Sequence, residues 1–500
     1  MASPPPPLAF PPATLSRWPH LPAFWPERKT VAAGTRGSVL VLPEDVAAPP
    51  GTAVLRFALG PFAPPRFGER DAPVLLLTQD APPLFPEELE ECIAPAAAAG
   101  LPGGEELAAL LARSRAADPF VRGPITRAAA LEMLVAWRAA ERENRSIAVC
   151  LGLSRWKRGP VASLLAHGAG GPAFVPREEE AVRQARAADG AVLAWAADMP
   201  PARAAAIRAQ GVGLRLLEDG FIRSRGLGAR FLPGASYCLD EGAHYDPGQP
   251  SGLEALLQRG GFPPALLARA AALRQAIVRR GVTKYNLAAG GALPPIPPGR
   301  RAVLVPGQVE DDASIRRGAD RVRTNLDLLR AVRAAEPDAF ILYKPHPDLE
   351  AGYRRGRLRA RDLEGLADHV VTGVPLPALL PQVAAVHTMT SLSGFEAILR
   401  DVPVTTWGRP FYAGWGRTTH RGAPFPEGRR GVERSVEELV AAALILYPRY
   451  IDPVTRLPCP VEVVLERLED PSAWRPAPLT LHRGLEGWVR RGLTRLAGWR

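Results

Sequence analysis

Lysine is scarce in this chain of 500 residues: only Lys29, Lys157, Lys284 and Lys344 stand among 62 basic residues, and the rest are arginine. Together with 55 prolines and 47 glycines, this is the mark of a GC-rich coding bias. The formal net charge of +11 therefore does not by itself name a polyanionic partner. RNA-reading modules are not evident, and no nucleic-acid partner is expected. Cysteine is scarce too. Cys92, Cys150, Cys238 and Cys459 lie far apart with no CxxC pair, which excludes a disulfide framework and zinc-like spacing and leads us to expect a reduced, cytosolic protein without a metal. Long apolar runs are missing: no window approaches the ~18 apolar residues of a spanning helix. The opening MASPPPPLAFPPATLSRWPHLPAFWP lacks the apolar core of a signal peptide, so neither secretion by that route nor an integral membrane protein is expected. Glycine-rich phosphate fingerprints and a Ser/His/Asp order are absent as well.

What is present is a globular composition, 47% hydrophobic, long enough for roughly two to four domains. Residues 1–122 read as a proline-rich start followed by a small α/β segment, with apolar runs at Val39 to Leu42, Val54 to Phe57 and Val74 to Leu77 and an Ala/Leu helix pattern over 105–117. An amphipathic helix is predicted over 125–143. From there strands (IAVCLGL, AVLAWA, LRLL) alternate with helices at 178–188 and 201–210, which implies a parallel sheet. A long helical region, 252–281, leads through GGALPPIPPGR into a second series, AVLVP, FILYKP, HVVTG, AVHTM and VTTW. We therefore expect lobes over 123–290 and 291–470 with a cleft between them, and ligands at the carboxyl ends of the strands. The last residues, 471–500, form a basic amphipathic tail. It suits either an anionic membrane surface or a helix capping the core with its arginines in water.

Unusual residues gather at the strand ends. LRLLEDGFIRSRGLG places Glu218 and Asp219 before Gly220, then Arg223 and Arg225. These two arginines are candidates to grip a sugar carboxylate, and the competing reading is a turn held by an acid–arginine pair. In YKPHPD, Pro345 and Pro347 fix the direction of His346 beside Lys344 and Asp348, which fits donation to a phosphate oxygen. HTMTSLSGFEAILR sets Ser391 and Ser393 at a helix start, a possible anion site or an ordinary N-cap, with Glu396 one turn on to reach ribose hydroxyls. VPGQVEDDAS crowds Glu310, Asp311 and Asp312 after Gln308 at the end of an apolar strand, where like charges raise one another's pKa. WGRPFYAGWG, with Tyr412, could wall a base or a sugar, or simply form an aromatic turn. TKYN carries one of the rare lysines, Lys284.

In this order EDGFIRS, TKYNL, VPGQVEDDAS, YKPHPD, HTMTSLSGFEA and PFYAGWG closely resemble the capsule polysaccharide synthesis family of KpsC/LipA type, from about Ile147 to about Leu468. The match is best to the second of the two transferase modules in long members. The resemblance implies a GT-B-like α/β fold of two Rossmann-like lobes with an N-terminal α/β extension. It also implies retaining β-Kdo transfer from CMP-Kdo, the donor substrate, to a lipid-linked Kdo oligosaccharide at the inner face of the cytoplasmic membrane, with no cofactor and with other capsule assembly proteins as further partners. On it, Asp312 is the nucleophile and Glu218, with Asp219, the acid/base side. His346, Lys344, Ser391, Ser393 and Gln308 serve the CMP phosphate side and Glu396 the ribose, with Lys284 and Tyr412 as further site residues. Two alternatives stay open: a transferase for another CMP-activated acidic sugar, and a catalytically silent assembly scaffold.

Overall fold

The computed structural model describes residues 143–474, apart from 168–170, 226–233, 285, 287–290 and 351–357, together with short pieces at 9–10, 39–43, 53–57, 116–117, 120, 124–125, 136 and 140. The expected run Val74 to Leu77 and the tail 475–500 lie outside the described residues, as does most of the helix expected over 125–143. The chain divides into two compact units, each treated by itself: Met1–Leu151 with Arg158–Val192 and Val454–Pro460, and Gly152–Lys157 with Leu193–Pro453 and Val461–Arg500.

In the first unit, the expected early strands form. Val39–Pro43 pairs parallel with Ala53–Phe57 and antiparallel with Ala9–Phe10. Ala116–Ala117 was expected to end a helix, yet it pairs antiparallel with Pro124–Ile125. A tertiary pairing here overrides the helical preference of alanine. Ile147–Leu151 pairs parallel with Ala173–Val175. Helix Glu178–Ala187 turns Ala181, Val182 and Ala185 inward, one stripe at helical spacing, and its first turn carries Glu178, Glu179 and Glu180, the sign that suits a helix amino terminus.

The second unit holds a six-stranded sheet, parallel at every pairing: Ala302–Pro306, Phe340–Lys344, His369–Val370, Ala385–Thr388, Val404–Thr406 and Thr419–His420. Numbered by sequence, their spatial order is 3-2-1-4-5-6, the doubly wound Rossmann order. All five residues of Ala302–Pro306 are buried, as befits a central parallel strand covered on both faces. Helix Asn325–Ala335 covers one face through Leu328, Leu329 and Val332, which pack with Val303, Val305 and Ile341. In this order the chain reverses direction between Ala302–Pro306 and Ala385–Thr388, which opens a crevice beyond their carboxyl ends.

The same unit carries Leu214–Asp219 beside Ser236–Asp240, and Ser236–Asp240 beside Pro448–Ile451, both pairs antiparallel. Alternating strands and helices predicted parallel neighbours only. The antiparallel partner Pro448–Ile451 lies more than 200 positions along the chain, beyond the reach of local periodicity. The helix expected over 252–281 is two helices, Gly252–Arg259 and Pro264–Arg279. Gly260 and Gly261 between them have φ of 63° and 73°, a left-handed conformation that ends a helix, and Pro263 and Pro264 follow. Among the described residues no helix is long and apolar enough to cross a membrane. Cys150, Cys238 and Cys459 are free thiols.

Candidate active site

A cavity of about 380 Å³ in the second unit opens at the crevice of the six-stranded sheet. It is lined from three sides by strand ends and their loops: Pro306 to Val309 with Asp312, Lys344 to Asp348, and Thr390 to Ser393 with Glu396. Glu218 and Asp219 face the same cavity from the end of Leu214–Asp219, joined by Lys284. Of the site residues expected from sequence, ten therefore share one cavity: Glu218, Asp219, Lys284, Gln308, Asp312, Lys344, His346, Ser391, Ser393 and Glu396. Arg223, Arg225 and Tyr412 do not line it.

The three exceptions have other duties. The Arg223 guanidinium is buried and donates to Asp219 Oδ2 at 2.7 Å and to Ser224 Oγ at 3.1 Å. Arg225 donates to the Leu468 carbonyl at 3.0 Å. The reading of the EDG loop as a turn held by an acid–arginine pair is the one realised, and the expected arginine grip on a sugar carboxylate is corrected. A loop residue four positions on reaches back over Gly220, where a Cβ would stand 2.7 Å from that of Ser236. Only glycine allows that approach. Tyr412 is fully buried and donates to the Ser391 carbonyl at 2.5 Å, so it supports the serine loop from behind.

Glu218 has two unlike oxygens. Oε1 accepts from the Asp219 amide at 3.0 Å, whereas Oε2 is buried without a hydrogen-bond partner. Burial first, and the adjacent Asp219 charge second, push this carboxyl up to about 7, against the pull of Lys157 and Lys284. Lys157, from the SRWKR segment, lies 3.1 Å from the Trp195 ring centroid, and burial lowers its own pKa. Asp312 differs from Glu218. It is exposed and caps the short helix Ala313–Gly318, its Oδ1 accepting from the Ser314 amide at 2.9 Å and the Ser314 hydroxyl at 2.8 Å. Its neighbour Glu310 accepts from the Asn325 amide at 2.7 Å and so anchors the helix Asn325–Ala335. Of the three crowded acids, Glu310 is thus structural and Asp312 faces the cavity.

His346 Nδ1 accepts from the Asp348 amide at 3.1 Å, which leaves the ring proton on Nε2, a donor. Ser391 caps its helix: its hydroxyl accepts from the Ser393 amide at 3.1 Å and donates to Ser393 Oγ at 3.1 Å. Gln308 is 5% exposed and uses its side chain as a tie across the crevice, Nε2 donating to Thr390 Oγ1 at 3.0 Å and Oε1 accepting from the Thr390 amide at 2.9 Å. Its backbone exchanges a further pair of 2.8 Å bonds with the Asn325 side chain. Gln308 therefore shapes one wall of the cavity, and Asn325, behind it, was not recognised in the sequence; its place after Thr324 at a helix start is the only local signal.

Glu396 accepts from the Lys284 amide through Oε1 at 3.1 Å, and its buried Oε2 has no partner. Burial pushes it up to about 7, against the pull of Arg400 and Lys284. The native carboxyl thus holds its proton from the ordinary value near 4.5 up to about 7, while the unfolded chain has released it. Stability from this group is therefore lost as pH rises through that window and stays lost above it. Glu396→Gln, which keeps the acceptor for the Lys284 amide, should raise unfolding free energy at pH 8 by about 2–3 kcal/mol and leave it nearly unchanged at pH 4.5. Denaturant melts at the two pH values check this.

His244 was also missed by sequence reasoning. It packs edge-on to Phe221, 4.9 Å between centroids, and to Tyr245, and lines the cavity. Its Nδ1 is buried without a partner, and burial followed by the Lys284 charge lowers it to about 3, so the ring is neutral. Nothing in GAHYD distinguishes it from an ordinary aromatic turn.

A Rossmann-order sheet whose strand ends bring His346 and the serine loop into one cavity with an acid-bearing strand end defines a GT-B-like α/β fold. Residues 292–450 match the family model described as capsule polysaccharide biosynthesis protein. The chain is 36% identical over 339 residues to the capsule polysaccharide modification protein LipA of Neisseria meningitidis, covering 67% of this chain and 47% of that protein. It is 43% identical over 238 residues to the lipopolysaccharide-processing protein LpsZ of Rhizobium meliloti, covering 47% of this chain and 53% of that one. Among solved structures, the β-Kdo 2,4 transferase of Thermosulfurimonas dismutans KpsC superposes with a TM-score of 0.55 at 30% identity, over 64% of this chain and 97% of that one. The β-Kdo 2,7 transferase of the same KpsC gives 0.53 at 29%, over 65% and 98%. The chain belongs to this capsule polysaccharide biosynthesis family, the one that includes KpsC and LipA. It spans about half the length of the curated relatives it matches.

Proposed function

We propose that this protein is a retaining glycosyltransferase that moves Kdo in β linkage from CMP-Kdo to a Kdo-bearing, lipid-linked acceptor in capsular polysaccharide assembly, working at the inner face of the cytoplasmic membrane. The observation that carries this reading is the meeting of Asp312, Glu218, His346 and the serine loop in one cavity of a chain whose structural relatives are β-Kdo transferases.

The chemistry divides between the two sides of the cavity. The Nε2–H of His346 and the hydroxyl of Ser393 are donors suited to a phosphate oxygen, and stabilising the negative charge that develops on a departing CMP is worth most in a cavity sheltered from water. The Asp312 carboxylate attacks the anomeric carbon as the bond to the phosphate breaks, and CMP leaves with the electron pair. A hydroxyl of the acceptor then displaces Asp312 from the opposite face and gives its proton to Glu218, so two inversions restore the configuration. A carboxyl held near 7 is populated in both forms at neutral pH, as an acid/base group requires. Glu396, on the helix of the serine loop and lining the cavity, is our candidate for the ribose.

Incubating the purified protein with CMP-Kdo and a synthetic Kdo acceptor, and reading product mass, linkage and anomeric configuration, tests the proposal. The expected product is larger by one Kdo, in β linkage. Transfer of another sugar from its CMP donor in preference to Kdo, or no transfer from any CMP-sugar, would overturn it.

A further inference from the structure

An acidic sugar brings its own carboxylate into a cavity already lined by Glu218, Asp219 and Asp312, and it needs a cation to offset the repulsion. The arginines of the EDG loop do not supply it. Arg223 is held by Asp219 and Ser224, Arg225 reaches the Leu468 carbonyl, and neither lines the cavity. Asp219 is in turn neutralised by Arg223 at 2.7 Å. Among the described residues the cations lining the cavity are Lys284, Lys344 and, when protonated, His346; the last two stand together at one strand end, which the proposal gives to the phosphate.

Lys284 sits elsewhere, on a turn built to hold it. The Thr283 amide donates to Asn286 Oδ1 and the Asn286 amide to Thr283 Oγ1, both at 2.9 Å, and Asn286 takes the left-handed φ of 49°. Asn286 Nδ2 also donates to the Ser224 carbonyl at 3.1 Å, fastening the turn to the EDG loop. The Lys284 carbonyl accepts from the Arg223 and Ser224 amides at 3.3 and 3.4 Å, while its own amide donates to Glu396. The backbone of one residue thus links the acid-bearing loop to the helix of the serine loop. Its ammonium charge acts on Glu218, His244 and Glu396, three groups that line the cavity from separate elements. In a chain that uses arginine nearly everywhere, lysine at this point supplies a compact point charge in place of a broad planar fork.

We infer that Lys284, which lines the cavity from a turn fastened to the EDG loop, is the residue that binds the carboxylate of the acidic sugar donor. This rests on the donor being a CMP-activated acidic sugar, as proposed above. In that role Lys284 selects acidic sugars over neutral ones and places the anomeric carbon, which bears the carboxylate in such sugars, within reach of Asp312.

The test is binding without acceptor. Wild type, Lys284→Met and Lys284→Arg are titrated with CMP, with CMP-Kdo and with the CMP-Kdo analogue whose carboxylate is a primary amide. Wild type should prefer the carboxylate over the amide by about 10- to 100-fold, the worth of a charge-assisted hydrogen bond. Lys284→Met should erase the preference and leave CMP affinity within about 2-fold, and Lys284→Arg should keep part of it. A preference that survives Lys284→Met, or CMP affinity that falls as steeply as CMP-Kdo affinity in both variants, overturns the inference. Wild type that shows no preference overturns it too. If the preference and its loss hold but no transfer follows when acceptor is added, the transferase reading falls and the carboxylate site stands.

Discussion

Asp312→Asn should abolish transfer while leaving CMP binding intact. The expected fall in kcat is on the order of 10⁴-fold or more, because removal of a covalent nucleophile leaves only positioning and electrostatic stabilisation. Asparagine is the better replacement than alanine here. Asp312 also caps the helix Ala313–Gly318 by accepting from the Ser314 amide, and asparagine caps as well as aspartate, whereas alanine would cost about 1 kcal/mol. The variant should therefore melt with wild type and bind CMP within about 2-fold, since the phosphate side is untouched. Transfer above about a tenth of the wild-type rate would remove Asp312 as nucleophile and return the choice to Asp311 or to a mechanism without a covalent intermediate.

Glu218→Gln should lower kcat by about 10²- to 10⁴-fold, the usual contribution of a positioned acid/base group. The more telling readout is the pH profile. Wild-type kcat should rise with pH on a limb whose apparent pKa lies near 7, because the ionised form of Glu218 takes the acceptor proton and burial beside Asp219 holds the group at that value. Glutamine has no such titration, so the limb should vanish. The same substitution should stabilise the fold above pH 7. Native Glu218 is protonated up to about 7 where the unfolded chain is not, so ionising it costs stability that a neutral amide does not lose. An undiminished limb in Glu218→Gln would assign the titration to another group, and unchanged kcat would end the acid/base assignment.

Much of this site is legible without coordinates because its residues stand at strand ends, and strands announce themselves by apolar runs. Ala302–Pro306 and Phe340–Lys344 could be read directly, and with them the positions of Asp312 and His346 just beyond. Errors arose where a side chain could turn either way. Arg223 beside two acids reads equally well as a substrate grip or as a brace, and only its burial against Asp219 decides for the brace. Gln308 lines the cavity as expected, and only the coordinates show that its amide also ties the crevice together, donating to Thr390 Oγ1 and accepting from the Thr390 amide. His244 carries no local signal, because its importance comes from Phe221, from Tyr245 and from the charge of Lys284, forty positions away.

The parallel alternation of the second lobe, the acids, the His-Pro loop and the serine loop are all readable along the chain, since apolar period and strand-end chemistry are local properties. The tertiary structure alone decided which charges face the cavity and which are used in holding it. That depends on antiparallel pairing with Pro448–Ile451, on the approach of two backbones at Gly220 and on the turn at Asn286. Burial and distance between segments far apart in sequence set the charge state of Glu218 and Glu396, and no local pattern encodes either quantity.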